Sequence, residues 1–116
     1  GKGYWIHATA ETNVTLTLEE INPIETPPTY PVKAGWNLIG YTTLSLETSI
    51  PIPAYLQNLY TEFGLFGQPK WTKLYRYTPG TGYEVATPWY MPEDFQTFDL
   101  TRGYWLYCSE DGEIVP

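Results

Sequence analysis

Short apolar runs alternate along this chain with polar, proline- and glycine-bearing breaks, a pattern that predicts strands more often than helices. Residues 3–9 and 14–19 read as strands. In the second, Val14, Leu16 and Leu18 face one way and Thr15, Thr17 and Glu19 the other. Glu11, Thr12 and Asn13 make the turn between them. Residues 35–46 read as a strand pair or one long bent strand. Residues 71–78 and 83–87 flank Pro79, Gly80, Thr81 and Gly82, a hairpin signal. Residues 88–101 form a connection, and residues 103–108 and 113–115 a last strand pair. Helical spacing is confined to residues 53–63. There Pro53 suits the first turn, Leu56, Leu59, Tyr60 and Phe63 share a face, and Gly64 stops the run. The expected fold is all-β, or mostly β with one short helix, built as a compact antiparallel sandwich or half-open barrel.

The two strand pairs at the ends of the chain are alike. Residues 3–6 read Gly-Tyr-Trp-Ile and residues 103–106 read Gly-Tyr-Trp-Leu. The likeness runs without a gap from Lys2 against Arg102 to Val14 against Ile114, an offset of 100 residues. Residues 1–20 are therefore read as a strand pair like the end of a preceding repeat, residues 21–31 as a proline-rich linker, and residues 32–116 as one repeat domain. One sheet slot holds one such pair. The first pair is expected either to fill its own place in this domain or to dock on a neighbouring repeat by strand exchange.

Composition narrows the function. Thirteen acidic against six basic residues give a net charge of −7, which repels phosphate backbones and anionic membranes. No apolar run approaches the ~20 residues needed to cross a bilayer, so no nucleic acid and no membrane insertion are expected. A single cysteine forms no disulfide within the chain. The aromatic content is high, with 5 Trp, 11 Tyr and 4 Phe.

Gly35, Trp36 and Asn37, opening the run Gly-Trp-Asn-Leu-Ile-Gly, stand well before Gly103, Tyr104 and Trp105, with Trp36 and Trp105 69 positions apart. This pair of motifs resembles a repeat of archaeal and bacterial cell-surface and secreted multidomain proteins, in which the second motif follows the first by about 60–70 residues. The resemblance covers roughly residues 32–116 and leaves residues 47–70 unmatched. It implies an exported, cell-surface location and a structural or adhesive role as a spacer or interaction repeat. It carries no catalytic residues. The motifs themselves have structural readings. A glycine before a bulky aromatic lets the backbone bend or approach closely. Asn37 is expected to bond the backbone at a bend. Tyr104 and Leu106 face one side of their strand, Trp105 and Tyr107 the other. Both sides are expected to be covered, with Trp36 and Trp105 as core anchors.

Other candidate chemistry is sparse. His7 is the only histidine, and its counterpart in the second copy is Tyr107. No nucleophile–base spacing surrounds it, so no catalytic residue is assigned. Cys108 reads as a small packing residue. Asn13-Val14-Thr15 is a glycosylation sequon. The acidic stretches 109–113 and 92–94 read as polar turns rather than calcium loops. No metal and no cofactor are expected. The alternative to the structural reading is a carbohydrate-binding module in which Tyr75, Tyr77, Tyr83, Trp89 and Tyr90 stack on sugar faces. Coplanar, exposed rings would favour it; buried rings would favour the spacer.

Overall fold

The computed structural model describes residues 3–4, 6–15, 17, 29–43, 46–61 and 67–116. Among these, eight strands and one helical turn follow one another as β1 (Tyr30–Val32), β2 (Gly35–Gly40), β3 (Ser49–Pro51), α1 (Ile52–Tyr55), β4 (Trp71–Thr78), β5 (Gly82–Ala86), β6 (Thr97–Asp99), β7 (Gly103–Cys108) and β8 (Gly112–Ile114). The main sheet is antiparallel with order β2-β7-β4-β5; β1-β8 and β3-β6 are two-stranded antiparallel ribbons. The expected mostly-β fold with one short helix, its antiparallel sheets packed like a sandwich, is what the chain adopts.

Period-2 alternation sorts the sheet's two faces. On β7, Tyr104, Leu106 and Cys108 are buried, while Trp105 is half-buried and Tyr107 exposed. The β4–β5 hairpin closes through Gly80 and Gly82, whose φ angles of 84° and 93° suit glycine alone. Against the inner face pack Ile52, Tyr55, Leu56 and Leu59 from the α1 region and Phe95 and Phe98 from the β6 region. Tyr104 is the keystone: its ring lies near-parallel to Phe95 and edge-on to Phe98, and its hydroxyl accepts the Asp99 N–H at 2.8 Å.

Several expectations need correction. Helix α1 is one turn, not residues 53–63. The chain leaves the helix because Leu59, Tyr60 and Thr61 turn to pair with residues 68–70 across the Tyr60–Pro69 bridge; Leu56 and Leu59 are buried as expected, and Phe63 lies outside the described residues. Strand β6 falls inside the stretch read as a connection, and the Thr87–Tyr90 bridge ties its start to the end of the preceding strand reading. Strand β1 begins at Tyr30, inside the segment read as linker. The described parts of residues 3–9 and 14–19 belong to no strand, whereas the like residues of the second copy form β7 and β8. Trp5, Leu16, Leu18 and Glu19 lie outside the described residues.

Trp36 and Trp105 are not core anchors. Trp36 is 53% exposed and Trp105 half-buried, whereas Trp71 is wholly buried. A register shift on β4 between Trp71 and Lys73 brings Trp71 and Leu74 to the inner face together, which strict alternation forbids.

Candidate functional site

The side of the main sheet facing away from the core is open and aromatic. Register sets its layout. Leu38, Trp105, Tyr75 and Val85 form one row across β2, β7, β4 and β5. Trp36, Tyr107 and Lys73 form a second, and Tyr77 opposes Tyr83 in a third. Trp36, Tyr77, Tyr83, Val85 and Tyr107 are exposed.

The rings meet at steep angles. Trp36 contacts Tyr107 at 5.0 Å and 75°, Trp105 at 6.4 Å and 85°, and Tyr75 at 5.5 Å and 55°. Tyr83 meets Tyr75 at 84° and Tyr77 at 59°. Edge-to-face packing of this kind is favourable for the rings themselves. It leaves a corrugated apolar surface rather than a flat shelf. Tyr75, Tyr77 and Tyr83 thus share one face as a ladder. Trp89 and Tyr90 stand apart on the turn after β5, held by reciprocal backbone bonds between Thr87 and Tyr90 of 2.7 and 3.2 Å. Both are largely exposed, and among the described residues neither pairs with the sheet's rings.

The motif residues divide by role. Gly35 takes φ 99°, where a side chain is strained, and so turns the chain into β2. Asn37 works as expected. Its Oδ1 accepts the Lys33 N–H at 2.9 Å, and its Nδ2 donates to the Lys33 and Gly35 carbonyls at 2.7 and 3.1 Å. Asp111 fastens the same bend from the β7–β8 turn. It accepts from Lys33 Nζ at 2.8 Å and from the Ala34 N–H at 2.9 Å. Those bonds, Lys33's first, hold its carboxyl below the usual range. Tyr104 is core, and Trp105 belongs to the open face.

One polar cluster was invisible in the sequence. Arg76 is buried on the inner face and bonds Glu84 through Nε and Nη2 at 2.9 and 3.0 Å, with Nη2 also donating to the Asp94 carbonyl at 2.8 Å. Its guanidinium sits 4.5 Å from the Phe95 ring centre. Burial raises the Glu84 carboxyl, but the hydrogen bonds from Arg76 and Thr78 and the Arg76 charge outweigh it, and the net shift is downward. Sequence signals this cluster only through an Arg and a Glu opposed on paired strands.

Cys108 is buried, and burial pushes its thiol up to about 11, which suits packing rather than nucleophilic chemistry. Among the described residues no three His, Cys, Asp or Glu side chains converge. His7 is exposed, as are Asn13, Val14 and Thr15 of the sequon.

The first residues touch this same face. The Gly3 N–H donates to the Leu38 carbonyl at 3.2 Å. Tyr4 borders a shallow pocket of about 300 Å³ that it shares with Leu38, Tyr75, Tyr77, Arg102 and Trp105. Thr101, at the pocket's rim, holds φ 66°, uncommon for a β-branched residue. No family model matches the chain, and no match to it is found among curated proteins or solved structures.

Proposed function

We propose that this chain is a non-enzymatic, adhesive repeat module of an exported cell-surface protein, and that the aromatic face of the β2-β7-β4-β5 sheet is its working surface. The observation that carries the proposal is the solvent-open row-and-column array of Trp36, Leu38, Tyr75, Tyr77, Tyr83, Val85, Trp105 and Tyr107. A contiguous apolar patch of this sort marks an interaction site. The likeness between residues 2–14 and 102–114 and the resemblance of the two glycine–aromatic motifs to a surface-protein repeat supply the context. The partner on this reading is a neighbouring repeat of the same protein.

The test is the mass of the chain by light scattering over a concentration series, beside the variant Trp36→Ser/Tyr107→Ser, both positions lying outside the Tyr4 pocket. Self-association that weakens in the variant supports the reading. A mass that stays monomeric throughout, or an association indifferent to the variant, overturns it.

Carbohydrate binding is the second reading, and the outlying Trp89 and Tyr90 favour it. The sheet's own rings, crossed at 55° to 85°, give an extended glycan no flat tract. Binding to soluble polysaccharides that disappears in Trp89→Ala/Tyr90→Ala and survives Trp36→Ser/Tyr107→Ser would put this reading first.

A further inference from the structure

We infer that the edge of β2 and the pocket beside it are the seat for the strand end of the preceding repeat, and that the glycine of the Gly-Tyr-Trp motif is kept for that joint. The inference rests on the tandem-repeat reading above and names the surface by which successive repeats meet.

The two copies of the glycine differ in what surrounds them. Gly103 is exposed and carries no positive φ. A Cβ added there meets only Leu38 Cδ1, at the ordinary contact distance of 3.9 Å. Nothing inside the domain calls for glycine at that position. Gly3 is the opposite case. A Cβ there would stand 2.8 Å from the Ile39 carbonyl oxygen and 2.8 Å from Leu38 Cγ. A backbone oxygen in a paired strand does not yield, so a larger residue must lift the segment off β2. The demand for glycine arises only where this segment meets the next domain's sheet.

The seat has the chemistry for such a partner. Strand β2 is an edge of the main sheet, and an edge offers backbone groups to an added extended segment. The Gly3 N–H takes the Leu38 carbonyl there. One residue on, Tyr4 borders the pocket that Leu38, Tyr75, Tyr77, Arg102 and Trp105 line, aromatic on one side and polar on the other. The exposed state of the rest of the segment fits a segment whose own sheet lies elsewhere. Tyr4 and Ile6 are 78% and 62% exposed, while their counterparts Tyr104 and Leu106 are fully buried.

The test is nuclear magnetic resonance on the isotope-labelled full chain, comparing wild type with Gly3→Val and Gly103→Ala. Wild type should show contacts between the Tyr4 ring and both Leu38 and Trp105, with a protected amide at residue 3. Gly3→Val should abolish the contacts and speed exchange of that amide about tenfold, and Gly103→Ala should leave both unchanged. The inference is overturned if wild type lacks the contacts or if Gly3→Val retains them. It is also overturned if Gly103→Ala disturbs them as much, since glycine would then be needed within the domain. Self-association of the Trp36→Ser/Tyr107→Ser variant is a separate readout, so the joint and the adhesive face fail independently.

Discussion

Trp71 and Trp36 show how little residue type says about burial. Both are tryptophans in strands of one sheet, yet Trp71 is sealed in the core with its Nε1 unpaired among the described residues, and Trp36 is half open. Trp71→Ala should therefore cost about 3–5 kcal/mol in chemical denaturation, and Trp36→Ala about 1 kcal/mol or less. The sequence could not rank them, because the register shift at Trp71 breaks the alternation that normally assigns faces. The same holds for Arg76, whose partner Glu84 is opposed to it only once the hairpin register is known. Arg76→Met, which takes the Arg76 bonds from the Asp94 carbonyl and leaves Glu84 with Thr78 as its side-chain donor, should cost about 3 kcal/mol. Protonation attacks the same contacts. Glu84 and Asp111 both titrate below their ordinary values of 4.5 and 3.8 in the folded chain. Their contribution is thus fully present above those values and is lost as pH falls through the lowered ones. Thermal midpoints should hold from neutral pH down to the unfolded carboxylate range and then decline, with a shallower decline in Glu84→Gln and Asp111→Asn.

At the scale of the element, local sequence chose well where turn chemistry is explicit. The hairpin around Gly80 and Gly82, the β7 alternation and the bend secured by Asn37 are all legible because each rests on neighbours in sequence. Strand β6 was not, since Thr-Phe-Asp has too few residues to show a period and exists by pairing with β3. The helix was over-read for a related reason. Its apolar spacing is real, but one turn is held by tertiary burial of Ile52, Tyr55 and Leu56 and by the Tyr55 hydroxyl donating to the Gly40 carbonyl at 3.0 Å. Two backbone positions give sharp tests. Gly35→Ala places a Cβ in open space but at φ 99°, so its cost of about 1–2 kcal/mol is conformational alone. Thr101→Asn relieves a left-handed β-branched residue and should raise stability by about 1 kcal/mol.

At the scale of the whole molecule, the mostly-β class followed from the sequence, and the open face did not. Composition supplied the aromatics without saying which side of a strand meets solvent. The role of residues 3–15 needed the fold as well, since only the fold shows that residues 103–108 and 112–114 form β7 and β8 while the described residues of the first copy form no strand. Removing residues 1–20 should accordingly leave a cooperative fold whose thermal midpoint moves by no more than about 2 °C. The pairing of β1 with β8 has a mechanical consequence. Tyr30 lies opposite Ile114, so the chain enters and leaves the ribbon at the same end. A pull between the two ends loads those bonds one after another, as a zipper, and not in parallel shear. When the ribbon has parted, the load passes to the bonds of Asp111 with Lys33 and Ala34 and then to Gly35 and Cys108, again a directly opposed pair. Under tension the domain should yield at low force and peel inward from its ends, a compliant link that lengthens before its core gives way.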